Sequence, residues 1–447
     1  MTGDLDGATG PRREAAVEVL AGLEDRLGDL AARYRDLHAH PELSGHERRT
    51  AEVVATELAE AGAEVTTGVG GHGVVGVLTS GDGPTVALRG DMDALPIREA
   101  TGLPYASTAT HRRADGVEVP VMHACGHDLH TTCLLGAAHL LGAARHAWRG
   151  RVLLLAQPAE ESVSGAKAMV ADGVFRRFGR PVAILGQHAT PAPAGLVLHR
   201  AGPLYAANAN LEVRLHGVGG HGARPEGTVD PVAMGAYVVT RLQAIVARET
   251  DPRQPAVVTV GSFHAGTRPN IIGEEAVLEI TTRASSTAEV DALVAAVERV
   301  VRAEAAAAGA PRAPEVVRTE ATRGLVNDAD VVAGVRGLHA AVLGEEAIAE
   351  QPEVRTTSED FAELGAPGAD GVSAEPIPLG FWFLGVTPAP VWQAAAGATL
   401  ATRATAVPGT HTPRFAPDPE PSLRAGVAAL ATAPLALLDL PSGAAPR

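Results

Sequence analysis

The densest run of reactive side chains is His123-Ala124-Cys125-Gly126-His127-Asp128-Leu129-His130. A thiolate and an imidazole two residues apart can face one cation if the backbone turns between them, and Gly126 permits that turn. Residues 157–161 add two adjacent carboxylates, Glu160 and Glu161, directly after an apolar stretch. Carboxylates that leave a strand into a loop can divide labour, one binding metal while the other carries a proton. His188 follows another apolar stretch, and His411 lies in the turn-like segment Gly409-Thr410-His411-Thr412-Pro413-Arg414-Phe415. Each has a bland reading alone: a buried cysteine with surface histidines, solvated glutamates, ordinary loop histidines. Together, one Cys, three His and one Glu overfill a tetrahedral site, so a pair of divalent cations is the economical reading, and Zn or Mn suits such mixed donors. Two ions about 3.5–4 Å apart could share the Cys125 sulfur and a water, which would be the nucleophile.

Such groups must be delivered by a scaffold, and 447 residues with a 46% hydrophobic fraction supply cores for at least two packed units. Amphipathic helical periodicity runs through 15–37 and 47–61, stopping before His40-Pro41 and at Gly62. Strand-like runs follow at 73–79, 85–89, 152–156 and 182–185, with a helical run at 131–144. Short apolar strands without polar alternation fit an α/β sheet covered on both faces, whose chemistry sits beyond the strand C-termini. The segments Asp91-Met92-Asp93, 123–130, Glu160-Glu161 and His188 fall where that rule puts them. Between 202 and 314 the texture changes to an alternating strand at 211–215, helices at 229–248 and 287–308, and strands at 256–264 and 276–283. These elements make a smaller α+β domain, with 305–314 as its exit linker. Helices at 330–343, 359–364 and 423–438 and a strand at 380–385 complete the chain. The expected organisation is a discontinuous catalytic domain, 1–201 and 315–447, around an inserted domain, 202–314, with Pro- and Gly-rich ends that fray.

Fifty-two acidic against 37 basic residues give a formal net charge of −15, which argues against a nucleic-acid partner because phosphate binding needs a positive footprint. The N-terminal segment has no basic region leading into a continuous apolar one, so no signal peptide is expected. Apolar runs such as 134–144 are interrupted before membrane-spanning length. Two cysteines, Cys125 and Cys133, are too few for a disulfide scaffold and fit a reducing compartment. A soluble, cytoplasmic enzyme without a membrane partner is the expectation.

The motifs resemble those of the metal-dependent amidohydrolases and peptidases that include hippurate hydrolase, the indoleacetyl-amino-acid hydrolases and N-acyl-amino-acid deacylases. The resemblance runs in order through residues 35–44, Asp91-Met92-Asp93-Ala94-Leu95-Pro96-Ile97, Met122-His123-Ala124-Cys125-Gly126-His127-Asp128, Pro158-Ala159-Glu160-Glu161, Gly219-Gly220-His221-Gly222-Ala223-Arg224-Pro225, Ser358-Glu359-Asp360-Phe361 and His411-Thr412-Pro413-Arg414-Phe415. It implies a mixed-sheet, metallopeptidase-like α/β catalytic domain with an inserted α+β lid that also forms a homodimer. It implies that Cys125, His127, Glu161, His188 and His411 hold two divalent metals, and that Glu160 is the general base passing a proton from water to the leaving amine. By the same resemblance Asp93 orients a ligand imidazole or tunes the base, and His221 reaches the active site of the other subunit to stabilise the tetrahedral oxyanion. Asn270 and Arg283 match lid positions facing substrate, with Arg283 a candidate carboxylate clamp. Asp91 stands where more distant peptidases carry a metal-binding histidine.

The implied reaction is hydrolysis of the amide of an N-acyl amino acid or related small amide by a metal-activated water. Dipeptidase or exopeptidase action is the alternative, since the same metals would polarise a peptide carbonyl. A silent binding protein on the same scaffold is a third reading, opposed by the retention of Glu160 beside every expected ligand. The chain departs from the family pattern at Gly273, where proline is usual, and in a longer polar stretch at 110–118. Arg112 and Arg113 in that stretch read as solvated loop charges, with contact to an acidic substrate as the sharper alternative.

Overall fold

The computed structural model describes residues 10–113 and 115–441; the ends expected to fray lie outside the described residues. The chain divides into two compact units. The described parts of Met1–Gly202, Asn327–Pro352 and Asp360–Arg447 form one, and Pro203–Val326 with Glu353–Glu359 forms the other.

In the first unit eight strands make one mixed sheet, in the spatial order Glu64–Val69, Gly73–Ser80, Gly150–Gln157, Thr85–Asp91, Ala183–Pro193, Leu379–Thr387, Val197–His199 and Ile348–Glu350. Gly150–Gln157, Thr85–Asp91, Ala183–Pro193 and Leu379–Thr387 run parallel, with Leu88 opposite both Leu154 and Leu185. Residues Val152 to Ala156 are buried without alternation because helices cover both faces of the sheet. Helix His127–Ala143 packs on Thr85–Asp91 and against helix Pro419–Thr432, and its nearly continuous burial explains an apolar composition all round. Each fully buried leucine there contributes about 2 kcal/mol. Among the described residues no helix is long and apolar enough to cross a membrane.

One expected helix, 15–37, is two: Pro11–Leu20 and Leu23–Ala39. Both helices bury apolar residues, including Val19 on the first and Leu27 and Leu30 on the second. Apolar spacing persists across the break, so periodicity does not register it.

The second unit has a four-stranded antiparallel sheet ordered Ala256–Ala265, Glu275–Ala284, Ala207–His216 and Glu315–Thr322. Burial alternates through the middle of the inner strand, where Ala209, Leu211, Val213 and Leu215 are buried between half-buried Asn210, Glu212 and Arg214, while at its ends Ala207, Asn208 and His216 are buried too. Ala207, Ala209, Leu211, Val213 and Leu215 are its apolar members. They share a core with Met234, Val238, Leu242 and Ile245 of helix Pro231–Glu249 and Val290, Leu293 and Val297 of helix Thr287–Ala307. Asp230 and Ser286 cap these helices by accepting from Val232 N–H and Glu289 N–H. The expected exit linker at 305–314 is not where this unit ends. Glu315–Thr322 pairs with Ala207–His216, and as a mostly exposed edge strand it carries no buried alternation by which sequence could assign it.

A buried ionic pin fastens the start of helix His127–Ala143. His38 directs Nδ1 to Asp128 Oδ2 at 2.7 Å and Nε2 to Glu99 Oε1 at 3.1 Å, with all three side chains buried. Burial opposes a charged ring, but the bonds to Asp128 and Glu99 outweigh it and push the pKa up to about 10. The folded value lies above the unfolded one near 6.5, so this stabilisation is complete below that pH and is lost as pH rises through about 10. His38→Ala leaves two buried carboxylates without a counter-charge and should cost about 3 kcal/mol in urea unfolding at neutral pH. The gap from wild type should narrow as the pH is raised; a constant gap would show that the ring acts without its charge.

Candidate metal centre

Parallel strands end on the same edge of the first unit's sheet, and that edge collects the reactive groups. Asp91 closes Thr85–Asp91 with Asp93 two residues on, and Gln157 closes Gly150–Gln157 just ahead of Glu160 and Glu161. His188 lies not after a short strand but inside Ala183–Pro193, paired with Phe383. Its polar neighbour Gln187 interrupts the apolar run yet is buried, accepting from Trp382 Nε1 and donating to Gly426 O. Helix His127–Ala143 begins at His127 itself, ahead of the expected 131, because Gly126 takes φ 85° as its N-cap. A Cβ at Gly126 would stand 2.9 Å from Ala189 Cβ, so both conformation and space require glycine.

His127 directs Nδ1 to Asp93 Oδ1 at 3.1 Å, which leaves Nε2 buried without a hydrogen-bond partner. Nε2 lies 3.5 Å from Asp91 Oδ2, 3.8 Å from Glu161 Oε1 and 3.9 Å from Glu160 Oε2. His188 donates from Nδ1 to Ala189 O at 2.6 Å, and its Nε2 stands 3.4 Å from Cys125 Sγ. His411 Nε2 is 3.3 Å from Glu161 Oε1, a buried oxygen that also has no hydrogen-bond partner. Ligand atoms of Cys125, His127 and His188 lie within 4.8 Å of one another, and so do those of Cys125, Glu161 and His411. The two sets share the Cys125 sulfur. Orphaned buried lone pairs on an imidazole and a carboxylate, converging with a thiol, are a donor set that fits two divalent cations with a common sulfur.

Electrostatics agree with that fit. Burial and the Glu161 carboxylate push the Cys125 thiol well up, so a thiolate here calls for a cation beside it. Burial disfavours charge on His127, but Asp91 and Asp93 overcome it and raise the pKa; surroundings that draw a proton to Nε2 draw a cation to the same place. Asp93 stays below the ordinary carboxylate range despite burial, through its bond to His127, the Ser44 hydroxyl at 2.6 Å and Glu161 N–H at 3.0 Å.

His130 also sits beside Asp91 and His127, but both its nitrogens are used. Nδ1–H donates to Asp91 Oδ1 at 2.6 Å and Nε2 accepts Ala189 N–H at 2.7 Å, so no lone pair remains for a metal. Ser44, Asp91 and His130 are the site residues to which residue types gave no role. One signal was available: His130 is three places beyond His127 on one helix face. Among the described residues, three non-glycine positions take left-handed backbone, Ala159 at φ 52°, Val163 at φ 53° and His411 at φ 62°, and such strain gathers at functional sites.

In the second unit His221 is exposed on the two-residue strand Gly220–His221, paired with Ile271–Ile272. Its Nδ1 accepts Ala223 N–H at 3.1 Å, which leaves Nε2 as the ring nitrogen able to donate. Asn270 is exposed and adjoins the same ribbon, with its carbonyl accepting Gly222 N–H at 2.9 Å. Arg283 lies on Glu275–Ala284 and donates from Nη1 to Thr356 O at 2.5 Å. In the first unit Arg112 closes the strand Thr110–Arg112, which pairs with Glu118–Pro120, so the expected loop is partly a hairpin. Arg112 donates to Gly116 O at 3.3 Å and Arg113 pairs with Asp115 at 3.3 Å, and both arginines are exposed.

Residues 87–385 match the model of peptidase family M20/M25/M40. A Synechocystis sp. protein described as a probable hydrolase, sll0100, is 39% identical over 340 residues, 75% of this chain and 83% of its own. Hippurate hydrolase of Campylobacter jejuni is 40% identical over 262 residues, 58% of this chain and 65% of its own. The structure of Bacillus subtilis YXEP protein, a dinuclear metal-binding peptidase of the M20 family, superposes with a TM-score of 0.71 at 28% identity, covering 93% of this chain and 98% of that one.

Proposed function

Because the chain belongs to peptidase family M20/M25/M40, we propose that this metal-dependent amide hydrolase acts on N-acyl amino acids, with two divalent cations, Mn or Zn, held by Cys125, His127, Glu161, His188 and His411. The observation carrying this reading is the pair of ligand sets that meet at the Cys125 sulfur. Bound cations supply Lewis acidity toward the amide carbonyl and make water a stronger acid. Glu160, buried beside Glu161 with Oε2 3.9 Å from His127 Nε2, takes the proton from the attacking water and returns it to the leaving amine. Asp93 fixes the His127 tautomer through Nδ1 and holds Glu161 by its backbone N–H, so one carboxylate aligns two ligands. His221 offers its Nε2–H to the oxyanion, acting from the partner subunit of a homodimer, while Asn270 and Arg283 contact the substrate. A hippurate hydrolase and an N-acetyl-L-cysteine deacetylase among the relatives support acyl amino acids, while a thermostable carboxypeptidase at similar identity makes peptides the alternative to test.

Purified protein should contain close to two divalent ions per subunit, and Cys125→Ser should lower that number, since both ligand sets lose their shared donor. Metal-reconstituted enzyme assayed on N-acetyl, N-benzoyl and indoleacetyl amino acids and on dipeptides should prefer the acyl amino acids. Metal content near zero after supplementation, or a preference for dipeptides, would overturn the corresponding part.

A further inference from the structure

Glu47 serves neither as ligand nor as base, yet it reaches the loop that presents Glu160. It is fully buried at the start of helix Arg48–Glu60. Its Oε1 accepts Gly45 N–H at 2.8 Å and, from 112 positions further along the chain, Ala159 N–H at 2.8 Å. Oε2 is buried without a hydrogen-bond partner. Ala159 takes φ 52° immediately before Glu160, and Val163 takes φ 53° three residues after it. Left-handed backbone costs about 1 kcal/mol or more at a non-glycine residue and persists only where neighbours enforce it. Ala159 O accepts from Ser164 N–H at 3.2 Å and Gly165 N–H at 3.0 Å, closing the turn on itself. On the other side of Glu160, Asp93 Oδ2 takes both Glu161 N–H at 3.0 Å and the Ser44 hydroxyl at 2.6 Å. Residue 160 thus stands between two peptide N–H groups, each held by a buried carboxylate, and the segment 44–47 reaches both anchors.

We propose that Glu47 is a positioning residue for Glu160, its carboxylate clamping Ala159 N–H so that the strained turn aims the base. The inference rests on the reading of Glu160 as general base. Burial and the nearby Asp93 push the Glu47 carboxyl up to about 7, so a neutral side chain of the same shape is a fair substitute near neutrality. Gln keeps the acceptor oxygen at Oε1. Met keeps the length and removes it.

Wild type, Glu47→Gln and Glu47→Met are compared as Mn-loaded protein for kcat, KM and metal content, and both loaded and metal-free for amide hydrogen exchange over 157–163. Glu47→Met should speed that exchange about tenfold and lower kcat about tenfold or more, with KM within about threefold and metal content at wild-type level. Glu47→Gln should restore both to within about threefold of wild type. Wild-type exchange in Glu47→Met overturns the clamp, as does wild-type kcat in that variant where Glu160→Gln is impaired, or a Gln variant as impaired as Met. Should Glu47→Met fail to fold, Glu47→Gln decides: unchanged exchange and turnover uphold the acceptor role, and loss of either rejects it. If Glu160→Gln keeps its turnover while Glu47→Met still loosens 157–163, the base assignment falls and the clamp on the turn stands.

Discussion

Glu160→Gln should retain its metal and lose at least about 100-fold in kcat, as expected for removal of a general base. Gln is nearly the same size and stays uncharged, so the buried position, 6% exposed, tolerates it while the proton acceptor is gone. Glu161→Gln separates the two carboxylates. Glu161 Oε1 lies 3.3 Å from His411 Nε2 and is the buried oxygen without a hydrogen-bond partner, so this variant should lose metal first and activity in consequence. Both carboxylates approach His127 Nε2, Glu160 at 3.9 Å and Glu161 at 3.8 Å, and Glu161 also faces His411. The backbone around them is held by Glu161 N–H bonded to Asp93 Oδ2 at 3.0 Å and by the left-handed Ala159. Elemental analysis beside steady-state kinetics distinguishes the roles. Two variants that both kept metal and wild-type kcat would remove the assignment.

His221→Ala should cost about 3–4 kcal/mol in the transition state, a fall in kcat of about 10²- to 10³-fold, without changing metal content. Ala223 N–H occupies Nδ1, which leaves Nε2 as the nitrogen able to donate. The pairing of His221 with Ile271 and of Gly220 with Ile272 fixes its backbone. If it serves the active site of the other subunit, inactive His221→Ala mixed with inactive Glu160→Gln should regain activity, because a mixed dimer contains one site with an intact base and an intact donated histidine. Random exchange makes about half the dimers mixed, each with one working site, so recovery should approach about a quarter of wild-type activity per subunit. A mixture that mass measurement shows to have exchanged, and that stays as inactive as its parents, would confine His221 to its own subunit or remove it from the reaction.

Local chemistry in the sequence was enough to nominate Cys125, His127, Glu160, Glu161, His188 and His411, because few structural needs place a thiol, imidazoles and carboxylates beside strand ends and turns. The covered α/β sheet was equally legible, since a strand buried on both faces has to be apolar throughout, as Val152 to Ala156 are; that the sheet is mixed was implied only by the family resemblance. Element boundaries were less so. The break between Pro11–Leu20 and Leu23–Ala39 preserves apolar spacing, and the edge strand Glu315–Thr322 has almost no buried face to announce it. Only the tertiary structure decided which polar groups would use up one another's lone pairs. His127 and His130 are the same residue type on the same helix turn, yet Asp91 and Ala189 N–H occupy both nitrogens of His130 while Asp93 occupies one of His127 and leaves Nε2 over. Glu47 and Ser44 acquire their part in the site through bonds to Ala159, 112 positions away, and Asp93, 49 positions away. Residue types fix what a side chain can donate, accept or ligate, but which of those capacities remains unspent depends on partners that folding brings from distant parts of the chain.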